Sequence, residues 1–168
     1  MTGLYFKDVD NMFSLIIEAT ELNKILSLCI QANENETGGI LIGYYNESYD
    51  CAIVSAVTGP SDDSSSGRTW FYRGIKGLQK FVDDIWRKKR HYYLGEWHFH
   101  PMSSSVLSSK DSASMRAVSR SSKYNCPEPI LLIIGGNPKQ QWTSSAYVFP
   151  IDQEKIVVDL LEVKKLAT

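Results

Sequence analysis

Three polar side chains in one short stretch have the types and spacing to hold a metal ion. Residues 95–111 read GEWHFHPMSSSVLSSKD, with His98 and His100 two apart, Pro101 directly after, and Asp111 three residues beyond Ser108. In a strand, residues i and i+2 share a face and sit roughly 6–7 Å apart, so two imidazoles can converge on one ion from one side. Pro101 would end such a strand, because it donates no ladder hydrogen bond. A helix beginning near Ser108 would place Asp111 in its first turn, where its carboxylate can point back at the strand end. Two nitrogens and a carboxylate oxygen with a fourth position open is the donor set of a catalytic zinc site. Structural zinc sites more often use thiolates, and Cys29, Cys51 and Cys126 show no ligand-like spacing.

The same residues admit a plainer reading. Ser108-x-x-Asp111 is also a helix capping arrangement, with the serine accepting from the backbone and the acid suiting the helix N-terminus. Capping and ligation are compatible, since a capped first turn holds the carboxylate still. A hydrolytic site needs a base as well. A catalytic metal lowers the pKa of water to about 7, and a nearby carboxylate can take the proton and deliver it to a leaving amine. Two residues compete for that role. Glu36 stands just before TGGILIG. Glu96 alternates onto the histidine face, where it could be the base or could orient a histidine.

The elements that must position these residues follow from periodicity. HYYLGEWHFH reads as a strand, with Tyr93, Gly95, Trp97 and Phe99 on one face and Leu94, Glu96, His98 and His100 on the other. A helix is expected over 108–122. TGGILIGYY (Thr37–Tyr45) and CAIVSAV (Cys51–Val57) read as a hairpin turned by NESYD. Residues 12–17 read as a first strand. A helix over 18–33 carries Leu22, Ile25, Leu26 and Cys29 at helical spacing, with Thr20 as its expected cap. A second helix fits 74–90, with Ile75, Leu78, Phe81, Val82 and Ile85 forming an apolar stripe. The cations Arg87, Lys88, Lys89 and Arg90 suit its C-terminus. Between these, residues 59–69 (GPSDDSSSGRT) offer little to bury and read as a loop, either a flexible connection or a flap beside a site. EPILLIIGG and QWTSSAYVF read as strands, and 151–163 as a further strand or helix. Mixed helices and hairpins point to an α+β sandwich around a mostly antiparallel sheet.

Bulk properties exclude several classes. The 168 residues suit one domain spanning 1–168. A net charge of -1 gives no field for nucleic acid or an acidic membrane surface. Three widely spaced cysteines argue against a disulfide framework and for the reducing cytoplasm. The first residues lack a basic n-region, so no signal peptide is expected, and no apolar run approaches the roughly 20 residues needed to cross a bilayer.

Glu36 before TGGILIG, then His98-Phe99-His100-Pro101, then Ser108-x-x-Asp111, resembles in order and spacing the JAMM motif of the JAB/MPN metalloprotease family. The resemblance implies a sandwich like that of cytidine deaminases. It implies zinc held by His98, His100 and Asp111, Glu36 as general acid/base, and Ser108 as stabiliser of the oxyanion, and it demotes Glu96. The implied reaction is hydrolysis of an isopeptide or peptide bond after the C-terminal glycine of ubiquitin or a ubiquitin-like protein. One departure is Phe99, where the family usually has serine or threonine. It is expected to point away from the ligands and to alter a surface beside the substrate channel. The GEWHFHP stretch looks most like bacterial JAB peptidases, some of which act beside E1/E2-type conjugating enzymes in anti-phage (CBASS) operons. There the conjugated protein is a cGAS-like nucleotidyltransferase. The alternatives are processing of a sulfur-carrier or other ubiquitin-like protein, or a non-catalytic scaffold. The complete set Glu36, His98, His100, Ser108 and Asp111 argues against the scaffold.

Overall fold

A computed structural model describes residues 3–152 and the backbone of 158–166. The chain runs β1 (Gly3–Lys7), β2 (Ser14–Ile17), α1 (Ala19–Ala32), β3 (Thr37–Tyr45), β4 (Cys51–Val57), β5 (Ser65–Gly67), β6 (Trp70–Tyr72), α2 (Leu78–Lys89), β7 (Tyr92–Pro101), α3 (Ser109–Arg120), β8 (Ile130–Asn137), β9 (Gln141–Val148) and β10 (Val158–Leu166). Of the predicted element over 151–163, residues 153–157 lie outside the described residues, and the chain from 158 is strand.

Eight strands form one sheet in the order β1-β10-β9-β8-β7-β3-β4-β2. Its pairs are antiparallel except β2 with β4 and β7 with β8. The α+β class and the mostly antiparallel sheet match the sequence reading. The sheet also closes on itself, because β1 pairs with both β2 and β10.

The apolar run of β8 is explained by burial on both faces. Ile130, Leu132 and Ile134 join the main core, with Leu22, Ile25 and Cys29 of α1 and with Trp97 and Phe99 of β7. Leu131 and Ile133 face the other way and pack with Met115 of α3, Tyr147 and Phe149. His98 lies beside Ile133 in register, so the histidine face of β7 is the face that α3 covers. That shared face brings the strand end and the helix start together.

Four expectations need correction. The alternation of β7 breaks at Leu94. Gly95 pairs with Leu41 and Tyr93 with Ile42, so Leu94 is the extra residue of a bulge. Leu94 therefore joins Trp97 and Phe99 in the core, and Tyr93 turns to the histidine face, its hydroxyl 3.4 Å from Glu96 Oε1. Gly95 at this bulge has φ +151°, and a Cβ there would lie 1.9 Å from Ile130 O. Thr20 is not a cap. Glu18 occupies the N-cap of α1 and makes no side-chain cap bond, so burial of the apolar stripe carries this helix.

α2 starts at Leu78 rather than near 74, and its stripe is not core. Asp63 takes the N–H groups of Ile75 and Lys76 on its two carboxylate oxygens, at 3.1 and 3.0 Å, and holds them outside the helix. No residue of α2 is buried, and Ile75 is 70% exposed. The last turn does carry Arg87, Lys88 and Lys89. Finally, the 59–69 segment is not a structureless loop. Ser65–Gly67 pairs with Trp70–Tyr72 as a small hairpin. The two N–H donors hold the Asp63 carboxyl down to about 2 and fasten the hairpin's base.

Candidate metal centre and active site

His98 and His100 project from the end of β7, and Asp111 from the first turn of α3. One ligand atom from each lies within 4.8 Å of the others. His98 Nδ1 is 2.9 Å from Asp111 Oδ1, and His100 Nε2 is 3.5 Å from Asp111 Oδ2. Tetrahedral ligands about 2.0–2.1 Å from a metal stand about 3.3 Å from one another, which those two separations bracket. The donor chemistry fits too: two imidazoles, one carboxylate and an open side toward the cleft.

The turn that joins strand to helix fixes this geometry. Ser108 caps α3 in a complete capping box. Its Oγ accepts from Asp111 N at 3.0 Å, and its own N–H donates to Asp111 Oδ2 at 3.1 Å. The Ser108 hydroxyl also donates to Asp111 Oδ2, at 2.5 Å. Capping and convergence on the histidines thus coexist in one carboxylate. His100 Nδ1 is steadied by Ser104 O at 3.3 Å.

Charge coupling in the cluster is strong. Burial would raise the Asp111 carboxyl, but His100, His98 and Ser108 hold it well below the usual carboxylate range. Burial would lower His98, yet its bonds to Asp111 and Glu96 raise it to about 9. His100 is raised chiefly by the Asp111 carboxylate. A cation could take the place of these shared protons, which is how ligand deprotonation and metal binding are linked.

Glu36 lies at the start of β3 and lines the same cleft of about 440 Å³ as His98, His100, Ser108 and Asp111. Its backbone N–H donates to Gly67 O of the hairpin at 2.8 Å. Burial raises its pKa; His100 and His98 lower it and Asp111 raises it. A half-buried carboxylate with a raised pKa, facing a candidate metal cradle, is suited to move protons. The Gly-Gly after it has a spatial reason. Gly38 pairs with His98, and a Cβ on it would meet Phe71 at 2.9 Å and the His98 ring at 3.1 Å.

Glu96 is placed otherwise. It shares the histidine face but lines no part of the cleft, and it is 6% exposed. Its Oε1 is taken by Arg73 and its Oε2 lies 3.4 Å from His98 Nε2. Burial would raise it, but His98 and Arg73 keep it lowered and charged. Of its two predicted roles, geometry favours the histidine partner over the base. Phe99 points away from the ligands as expected. At 1% exposure it belongs to the core; it does not line the cleft of the ligands but touches a separate one beside Cys29, Met102 and Gly136. Burial pushes the Cys29 and Cys126 thiols up to about 12, so neither is a nucleophile at neutral pH.

Of the two readings of 59–69, the structure fits the flap beside a site; the paired form of the hairpin and the parts played by Phe71 and Arg73 were not foreseen. Arg68, Thr69 and Phe71 line the cleft, and Phe71 meets the His98 ring edge-on at 6.0 Å between centroids. Arg73 reaches Glu96 from the same segment. A further signal was the cation that ends WFYR.

Residues 19–146 match the family described as prokaryotic homologs of the JAB domain. The chain belongs to this family. A curated relative from Enterobacter hormaechei, named "CD-NTase/cGAS isopeptidase", is 42% identical over 86% of this chain and 80% of its own length. A "Probable metalloprotease" of Sinorhizobium fredii is 25% identical over 76% of this chain and 78% of its own. The solution structure of protein DSY2949 from Desulfitobacterium hafniense shares the fold, with a TM-score of 0.59, 20% identity and 90% of each chain covered. As a JAB-domain protein with peptidase relatives, the chain is a metal-dependent hydrolase. The Glu36–His98–His100–Ser108–Asp111 set lies wholly inside the matched region.

Proposed function

We propose that this chain is a zinc isopeptidase that frees a cGAS-like nucleotidyltransferase from proteins to which its C-terminus has been joined. The observation that carries the chemistry is the meeting of Glu36, Ser108 and the His98–His100–Asp111 group at one cleft. The substrate class is supported by the Enterobacter relative's name. In this reading residues 1–168 form one JAB domain working in the cytoplasm, opposite an E1/E2-type conjugating enzyme.

His98, His100 and Asp111 would hold zinc. When bound, zinc supplies Lewis-acid polarisation of the scissile carbonyl and of the attacking water. Glu36 takes a proton from that water and returns it to the leaving amine, a role its raised pKa suits. Ser108 serves the developing oxyanion. Its hydroxyl proton, donated to Asp111 Oδ2, swings to the substrate oxygen while its lone pair stays on Asp111 N–H. No residue need form a covalent intermediate.

The test is a nucleotidyltransferase joined through its C-terminal carboxyl to a lysine of a carrier protein. Incubated with zinc-loaded enzyme, it should yield both proteins intact, with masses differing from the conjugate by one water in total. A sulfur-carrier protein bearing a C-terminal extension is the comparator. Cleavage of that comparator with the conjugate untouched would replace the proposed substrate class. Cleavage of neither by a zinc-loaded protein would favour a scaffold, which the complete residue set does not.

A further inference from the structure

Arg73 leaves the end of the β5–β6 hairpin and enters the histidine face of β7. Its side chain is 11% exposed and that of Glu96 8%. Both Arg73 Nε and Nη2 address one oxygen, Glu96 Oε1, at 3.0 and 2.9 Å. Tyr93 donates to the same oxygen at 3.4 Å, and Arg73 Nη2 also donates to Tyr124 OH at 2.8 Å. Glu96 Oε2 is left for His98 Nε2 at 3.4 Å, while His98 Nδ1 faces Asp111. A buried ion pair contributes little stability over an apolar pair of like volume, because desolvation offsets the attraction. What an apolar pair cannot do is accept a proton from one chosen nitrogen of a ring.

We propose that Glu96 and Arg73 are positioning residues of the metal centre. Glu96 Oε2 accepts the His98 Nε2 proton and so keeps the Nδ1 lone pair on the ligand side, and Arg73 fixes which carboxylate oxygen is available. The proposal rests on reading His98, His100 and Asp111 as ligands. It makes the β4–α2 insert part of the centre. That one segment holds Glu36 through Gly67 O, packs Phe71 on His98, and sets His98 through Arg73 and Glu96.

Glu96→Gln separates this role from packing. The amide oxygen must face the Arg73 donors. The amide NH2 then faces His98 Nε2 and donates to it, which moves the ring proton to Nδ1, the ligand-side nitrogen. Size and packing are unchanged.

The experiment measures Zn2+ affinity of the full chain by competition with a chromophoric chelator, and the absorption spectrum with Co2+. Wild type is compared with Glu96→Gln, Arg73→Lys and Arg73→Met, and thermal unfolding of each is followed without metal. Loss of an outer partner to a metal-bound histidine costs about 10- to 100-fold in affinity. Glu96→Gln should show at least that loss, with altered Co2+ bands. Arg73→Met should weaken binding, and Arg73→Lys less so, since it keeps the charge without the fork. A pair that serves only structure would lower the metal-free melting temperature and leave affinity within about twofold in every variant, which overturns the proposal. Should Glu96→Gln fail to fold, the two Arg73 variants decide by the same criterion. Wild type that binds neither ion would overturn the metal centre and this proposal together, an outcome distinct from unchanged affinity in the variants.

Discussion

The two halves of the site reach it by different routes. The cradle is local in sequence: one strand, one turn and one helix start carry His98, His100, Ser108 and Asp111. The brace is not. Glu36 meets Gly67, Arg73 meets Glu96, and Trp97 Nε1 donates to Thr58 O at 2.8 Å, each across a wide gap in the chain. The cradle supplies donor atoms, while the brace decides how they and the base are held. Changes in the cradle should therefore abolish function, and changes in the brace should tune it.

The largest effect is expected at Asp111, which belongs to both capping and convergence. Asp111→Ala removes one ligand, one half of the capping box and the carboxylate that both histidines share. Elemental analysis should find wild type with about one zinc per chain and the variant with little. Loss of the box adds a stability cost of about 1 kcal/mol, read by denaturant unfolding. A variant that retains full metal would leave Asp111 as a cap only, and the cradle would lose its defining member.

Next comes Glu36, which the brace holds by its backbone rather than its carboxylate. Glu36→Ala keeps the N–H to Gly67 O, so fold and metal content should persist. Removing a general acid/base lowers turnover by about 10²- to 10⁴-fold. Steady-state cleavage of a C-terminal conjugate by zinc-loaded variant and wild type measures it. Full activity would move the base elsewhere, though not to Glu96, whose two oxygens are committed to Arg73 and His98.

The same division explains what was legible beforehand. The cradle rests on period-two alternation, a proline stop and a capping pattern, all short-range rules, so its residues could be picked out from types and spacing. β3 and β4 were legible to the residue for the same reason. The bulge at Leu94 was not, because it is set by how β7 pairs with Leu41 and Ile42 of β3 rather than by its own sequence neighbours. The hairpin hid in a Ser- and Gly-rich stretch whose order comes from Asp63 and from contacts with the cleft. α1 and α2 carry similar helical stripes, yet only α1 is buried, with Leu22, Ile25 and Cys29 inside. Periodicity announces a helix; which face is covered depends on what the rest of the chain lays over it.

Trp97 gives the brace a test of intermediate size. Its ring is wholly buried, and its indole N–H roots the insert at Thr58. Trp97→Phe loses that bond and some volume, for an expected cost of about 1–3 kcal/mol in urea unfolding. Metal content should stay at the wild-type value, because no ligand moves with the indole. A loss of metal in this variant would make brace and cradle one cooperative unit rather than two.

The smallest effect is expected at Ile75, where the insert hands over to α2. Its N–H is held by Asp63, but its side chain is 70% exposed. If the backbone alone does the bracing, Ile75→Ser should change stability by no more than about 0.5 kcal/mol, as at other solvated positions. The buried counterpart is Ile25 of α1, where truncation to alanine costs about 2–5 kcal/mol. Urea midpoints of the two variants beside wild type make the comparison. A cost at Ile75 above about 1 kcal/mol would mean that the side chain is covered in solution. The stripe on α2 would then have a partner surface, and the insert would be fastened by apolar contact as well as by Asp63.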